Sequence, residues 1–306
     1  MSEKELKTID LFSGCGGMSL GFQNAGFDIV AAYDNWDPAI DVYKLNFNHP
    51  IHKKDISDKA VIKEICETTP DVIIGGPPCQ DFSTAGHRNE KLGRAILTSS
   101  YTEIIKNALP RIFVMENVPR IQKSNIYNEA IACFRESGYG LTQITLDASY
   151  CGVPQTRKRH IVIGMLHEKD GFLENLIEEN LATSPLTMRE YFGDKLEVDY
   201  YFRIPRSYNR RAVFSVNEPS ITIRGVDRPI PPNYKKHPND LVEIGPKVRA
   251  LTVLERSYVQ TFPESFKFEG TKTNLNQMIG NAVPVKMAEF IAINIIRYIK
   301  QRGGEN

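Results

Sequence analysis

Cys79 stands in the run Gly75-Gly-Pro-Pro-Cys79-Gln-Asp-Phe-Ser83, directly after the apolar stretch 72–74. A lone cysteine is more often a small buried hydrophobe than a reactive group. Here two glycines and two prolines form a rigid loop that would present the thiol at the carboxyl end of a strand, a setting that suits a nucleophile. Two other stretches supply partners for it. The apolar run 112–115 ends in Glu116-Asn117-Val118-Pro119, which puts a carboxyl group beside Cys79 if the two strands are neighbours. The run 160–164 is preceded by Gln155-Thr-Arg157-Lys-Arg159, and in an extended chain Arg157 and Arg159 project to the same side. Glu116 or either arginine alone would read as surface charge. Together, a thiol, an acid and two guanidiniums at three strand ends suit covalent catalysis on a polar substrate.

A second cluster suits a nucleoside. Asp10-Leu-Phe12-Ser13-Gly14-Cys-Gly16-Gly17 follows one strand-like stretch and opens a helix-like one. Glycines there let the backbone approach a ligand closely. The spacing is not G-x-G-x-x-G, which counts against a dinucleotide pyrophosphate site. The next strand-like stretch ends in Tyr33-Asp34-Asn35-Trp36, and a carboxylate about twenty residues past the glycines is placed to accept ribose hydroxyls. Asp55 ends a further such stretch and could hold an adenine amino group.

These residues need a scaffold. Strand-like runs at 8–12, 29–33, 72–74, 112–115, 140–146 and 160–164 alternate with helix-like runs at 19–25, 38–46, 60–67, 101–109 and 126–136. That alternation predicts an α/β fold with a parallel sheet covered on both faces, and ligand sites at the carboxyl ends of its strands. The pattern breaks near Leu166. From 184 to 246 prolines and basic residues crowd together, which reads as a second, smaller, loop- and β-rich domain. A helical signal returns at 252–260. The last, 285–300, places Met287, Phe290, Ile291, Ile295, Tyr298 and Ile299 on one face. The expected division is 1–183 with 272–306 as one domain and 184–271 as the second domain and hinge.

Charge is uneven. The 306 residues carry a net charge of +1, yet 200–249 holds ten Lys/Arg against four Asp/Glu. A local basic segment is what phosphate contacts require, although solvated surface has the same look. Five scattered cysteines without a C-x-x-C pair argue against a disulfide framework or a zinc site. No apolar run reaches the roughly eighteen residues that span a bilayer, and MSEKELK carries charges where a signal peptide needs apolar residues. A cytoplasmic protein is expected, with no membrane partner and no metal.

Taken in order, these motifs resemble the bacterial DNA cytosine-5 methyltransferases of type II restriction–modification systems. The likeness rests on Phe-Ser-Gly-Cys-Gly-Gly at 12–17, Gly-Pro-Pro-Cys-Gln-x-Phe-Ser at 76–83 and Glu-Asn-Val at 116–118. It continues with Gln-x-Arg-x-Arg at 155–159, Arg-x-Leu-Thr-x-x-Glu at 249–255 and Gln-x-x-Gly-Asn-Ala-Val-Pro at 277–284. Residues from about 165 to 245 are unmatched, where the family carries its variable target-recognition domain.

The resemblance implies a Rossmann-like, S-adenosylmethionine-dependent methyltransferase sheet and a monomer acting on double-stranded DNA at the nucleoid. It implies that Cys79 adds to a flipped cytosine, assisted by Glu116, Arg157 and Arg159. Cofactor contacts are expected from Phe12, Ser13, Gly14, Gly16, Gly17, Asp34, Trp36, Asp55, Ile56, Pro78, Asn281 and Val283. DNA contacts are expected from Gln80, Ser83, Arg203, Arg206, Arg210, Arg224, Arg228, Lys235 and Lys236. Two departures stand out. Asp34 replaces the family's usual Glu, and Leu92-Gly-Arg94-Ala-Ile-Leu97 lacks the acid and second glycine of its Asp-x-Arg-Gly-x-Leu loop. The rival readings are a tRNA cytosine-5 methyltransferase of the same fold, a non-catalytic DNA-binding relative, and a Rossmann oxidoreductase with a redox cysteine.

Overall fold

The computed structural model describes residues 6–78, 88–205 and 210–303. The first half alternates strands and helices: β1 (Lys7–Leu11), α1 (Gly17–Asn24), β2 (Asp28–Asp34), α2 (Asp37–Lys44), β3 (Ile51–Lys53), α3 (Lys59–Glu67) and β4 (Val72–Gly75). It continues with α4 (Arg88–Ala108), β5 (Ile112–Asn117), α5 (Asn125–Glu136), β6 (Tyr139–Asp147), β7 (Gln155–Thr156) and β8 (Lys158–Leu166). Then come α6 (Glu174–Asn180), α7 (Met188–Phe192), β9 (Tyr200–Phe202), β10 (Val213–Ser215), β11 (Ser220–Ile221) and β12 (Val248–Ala250). The chain closes with α8 (Val253–Val259), α9 (Lys272–Asn281) and α10 (Val285–Gly303).

Seven strands form one sheet in the order β3-β2-β1-β4-β5-β8-β6. The run from β3 to β5 is parallel, because each connection carries a helix that crosses back over the sheet. Strands β4 and β5 are buried along their whole length, as expected of strands covered on both faces. One face meets α1 and α10 through Met18, Phe22, Ile291 and Ile295. The other meets α3, α4 and α5 through Ile62, Ile65, Ile104, Ile105 and Phe134.

The all-parallel expectation needs correcting at one side. Strand β8 runs antiparallel to both β5 and β6. Between β6 and β8 lie only a short 3-10 turn and β7, too little chain for a crossover helix, so the strand returns beside β6 in the opposite sense. Helix α4 also starts well before the 101–109 read from sequence, since glycine and polar residues in RNEKLGRAILTSS hide its periodicity. The stretch Lys272–Arg302 is apolar and long enough to cross a bilayer, but 56% of its most apolar window is buried inside the protein. Its α10 part is a core helix packed on α1.

The second half builds a small sheet, β10-β9-β12, and pairs β11 with β7. Its apolar residues Tyr201, Phe214, Ile223 and Phe262 join Cys15, Val42, Tyr43 and Ile279 in one cluster, so both halves of the chain share a core.

Candidate active site

The carboxyl ends of β1, β2, β4 and β5 open on a cavity of about 660 Å³. One end is lined by Phe12, Ser13, Gly14, Gly17, Asp34, Trp36, Asp55 and Ile56. The other is lined by Gly76, Pro77, Pro78, Glu116, Arg157 and Arg159, and the end of α9 closes it with Asn281, Ala282 and Val283. Every expected cofactor residue therefore borders the cavity except Gly16. That glycine has φ 94° at the head of α1, and a Cβ there would overlap the Phe47 ring, so it shapes the turn. A Cβ on Gly17 would overlap the carbonyl of Val283. This close approach is what brings the C-terminal Asn-Ala-Val back to the glycine turn.

The turn is pinned to β2. Ser13 N donates to Tyr33 O at 3.1 Å, and Gly14 N donates to Asp34 Oδ2 at 2.8 Å. Asp34 Oδ1 accepts from Asn35 N at 2.8 Å and Trp36 N at 2.9 Å. Phe12 is held at φ 60°, an unusual backbone for a side chain of its size, costing about 1–3 kcal/mol that these bonds offset. Asp34 thus organises both loops that border the cavity. Replacing it with Ala is expected to weaken binding of S-adenosylmethionine, the cofactor that the sequence resemblance implies, by about 1–3 kcal/mol. Calorimetry on the variant without DNA measures this, and unchanged affinity would remove Asp34 from the site.

Asp10, which stands first in the glycine motif, also borders the cavity. It accepts from Ser19 Oγ at 2.5 Å, and Ser19 accepts from Tyr43 OH at 2.8 Å, which in turn lies 2.6 Å from His49 Nε2. Burial pushes its carboxyl up to about 7, against the lowering effect of the Ser19 bond. The available signal was an acid at a strand's carboxyl end.

At the other end, β4 and β5 are neighbours, with Gly75 opposite Met115. This places Glu116 against the Gly-Pro-Pro loop: a Cβ on Gly76 would lie 3.1 Å from Glu116 Oε2. Asn117 Nδ2 donates to Pro77 O at 2.8 Å and fixes the same loop. Cys79, Gln80, Ser83 and Arg206 lie outside the described residues.

The two arginines have different fates. Arg159 Nε meets Glu116 Oε1 at 2.6 Å, and both side chains are largely shielded from water. Arg157 is 1% exposed and turns inward, donating from Nη1 to Ile223 O and from Nη2 to Gly280 O and Ala282 O, each at 3.1 Å. Burial, with Arg159 nearby, lowers its guanidinium to about 9. Arg157 lines the cavity beside Arg159, and its terminal nitrogens hold backbone carbonyls.

The expected DNA-contacting residues also divide. Arg210, Arg228, Lys235 and Lys236 are exposed, with Lys236 3.9 Å from Glu243. Arg224 is half-buried and donates to Ile204 O at 2.6 Å. Arg203 is a correction: it is 6% exposed, and its Nε and Nη2 are buried, so it does not present its guanidinium at the surface.

A model of the C-5 cytosine-specific DNA methylases matches residues 6–297. The chain belongs to that family. The methylase is 54% identical to the type II methyltransferase M.HindV of Haemophilus influenzae over 97% of its own length and 98% of that protein. It is also 54% identical to M.HgiDI of Herpetosiphon aurantiacus, over 97% and 96% of the two chains. Its fold resembles the Dnmt2 methyltransferase of S. pombe with a TM-score of 0.71 at 19% identity, covering 96% of the methylase and 99% of that chain. The Spodoptera frugiperda DNMT2 gives 0.66 at 21% identity, over 95% and 100%.

Proposed function

We propose that this methylase transfers a methyl group from S-adenosylmethionine to carbon 5 of one cytosine in a short duplex sequence, protecting host DNA in a bacterial restriction–modification system. The observation that carries the chemistry is the Glu116–Arg159 pair beside the Gly-Pro-Pro loop, in the same cavity as the glycine turn. The names of the relatives support the protective role.

The cofactor fits this cavity. Its volume lies within the range of about 300–1,000 Å³ common for small-molecule sites. Gly17 leaves open the narrowing against Val283, and Asp34 and Asp55 offer acceptors at strand ends suited to a nucleoside. Phe12, Trp36 and Ile56 would give the adenine an apolar surround. S-adenosylmethionine supplies an electrophilic methyl on a sulfonium.

Carbon 5 of cytosine is a weak nucleophile, so the ring must be activated first. The Cys79 thiolate adds to carbon 6, and the electron pair displaced from the 5,6 double bond makes carbon 5 nucleophilic. Glu116 supplies a proton or hydrogen bond at N3 and draws charge from the ring during addition. Arg159 orients Glu116 and stabilises negative charge at the base edge. After transfer, water takes the carbon 5 proton, the electron pair of that bond restores the 5,6 double bond, and Cys79 leaves carbon 6 as a thiolate. A loop cysteine cannot reach carbon 6 inside a duplex, so the base flips out, at a cost of a few kcal/mol that phosphate contacts offset.

Residues 184–271 form the recognition part. Arg228 is exposed in an irregular stretch, and its replacement by Ala is expected to cost about 1–3 kcal/mol of binding and to relax preference at one base pair. Lys235→Ala is expected to weaken all duplexes alike and to reduce the salt slope by about one unit. Equilibrium binding over a salt series distinguishes the two, and equal effects on target and random DNA for both would deny Arg228 a reading role.

Bisulfite sequencing of DNA from a host expressing the protein tests the function itself. Methylated cytosines at one recurrent short sequence are expected. Unmodified DNA, together with methylation of tRNA in a parallel assay, would reject it.

A further inference from the structure

Three buried side chains join parts of the chain that lie far apart in sequence, and the reaction above leaves all three unused. Gln155, Arg157 and Gln260 are all at most 1% exposed. Gln155 Nε2 donates to Gln260 Oε1 at 2.7 Å, while Gln155 Oε1 accepts from Ile223 N at 2.7 Å. Arg157 binds Ile223 O from one side of its fork and the carbonyls of Gly280 and Ala282 from the other. Gln260 Nε2 donates to Ile279 O at 2.6 Å and to Ala282 O at 3.0 Å. Arg256 adds a bond to the carbonyl of Arg224.

Backbone packing joins the same two segments. A Cβ on Gly280 would overlap Gly225 N and the carbonyl carbon of Arg224. The turn at 223–225 therefore rests directly on the last turn of α9. Residues 281–283, which follow at once, line the cavity. On the other side, Arg228 stands exposed three residues beyond Gly225. A network of this kind has little slack. Breaking one of its bonds without a replacement leaves a buried amide or carbonyl unpaired, so the two segments shift together or stay together.

We propose that Gln155, Arg157 and Gln260 are positioning residues that couple DNA contact at Arg228, just beyond the 223–225 turn, to cofactor affinity through the end of α9. This rests on reading the cavity as the cofactor site and the basic segment as the DNA-facing one. By linkage the coupling is reciprocal: target DNA tightens the cofactor by the same factor as the cofactor tightens DNA.

The test uses S-adenosylhomocysteine, the non-reactive product, and the duplex sequence that bisulfite mapping identifies. In the unaltered protein, saturating duplex is expected to tighten S-adenosylhomocysteine by about five-fold or more in calorimetry. Gln260→Met and Gln155→Met are expected to reduce that factor below about two-fold, whatever each does to thermal stability, a readout that a merely structural role would not move. Both ligands binding with a factor near one in the unaltered protein would overturn the proposal, as would variants that keep the full factor. Should the variants not fold, hydrogen exchange on the unaltered protein decides. S-adenosylhomocysteine alone is expected to slow exchange of the Ile223 amide, and no change there overturns the coupling. Failure of either ligand to bind at all would instead reject the reading of the site.

Discussion

Cys79→Ser is expected to bring methyl transfer down to background while leaving duplex binding intact. A thiol ionises near pH 8.5 and becomes a strong nucleophile when cationic groups lower that value, whereas a serine hydroxyl stays protonated at neutral pH. The Gly-Gly-Pro-Pro sequence before Cys79 leaves β4 at the wall of the cavity, and Pro78 is its last described residue there. In the proposed mechanism addition to carbon 6 is the step that makes carbon 5 reactive, so no later residue can compensate for its loss. Tritium transfer from labelled S-adenosylmethionine measures the rate, and a gel-shift titration measures binding. Wild-type turnover in the variant would remove Cys79 from the mechanism.

Glu116→Gln is expected to lower kcat by about 10²–10⁴-fold, the usual scale for a positioned acid or base, with cofactor affinity nearly unchanged. Glutamine has the right length and can hydrogen-bond N3, but it has no proton to give as charge develops on the ring. It also leaves the Arg159 guanidinium without its carboxylate partner at 2.6 Å, in a place where both side chains are largely shielded. Cofactor affinity separates this from general collapse of the site, because Asp34 and the glycine turn hold the far end of the cavity independently. A kcat within a few-fold of the wild type would show that Glu116 does not handle the proton.

The sequence by itself determined the family, the alternation of strands and helices in the first half, and which strand ends border the cavity. These are readings of short range. A Gly-Pro-Pro-Cys loop or an Asp after a β-strand states its chemistry within a few residues, and apolar periodicity states which face is buried. Most cofactor positions read in this way do line the cavity.

What the tertiary structure alone decided depends on partners distant in the chain. Arg157 and Arg159 look equivalent in Gln-x-Arg-x-Arg, yet one meets Glu116 while the other holds carbonyls 66 and 123 residues away. Arg203 reads as a DNA contact in a basic segment, and the fold leaves it only 6% exposed. Asp34 reads as a ligand for ribose, and its bonds to the amides of Gly14, Asn35 and Trp36 appear only when the glycine turn folds against β2. The reversed direction of β8 follows from a connection too short for a helix, a property of pairing and not of any residue in the strand. Local pattern sets which groups are available, and long-range packing sets which of them remain free to act, because a buried donor binds the nearest acceptor whichever part of the chain supplies it.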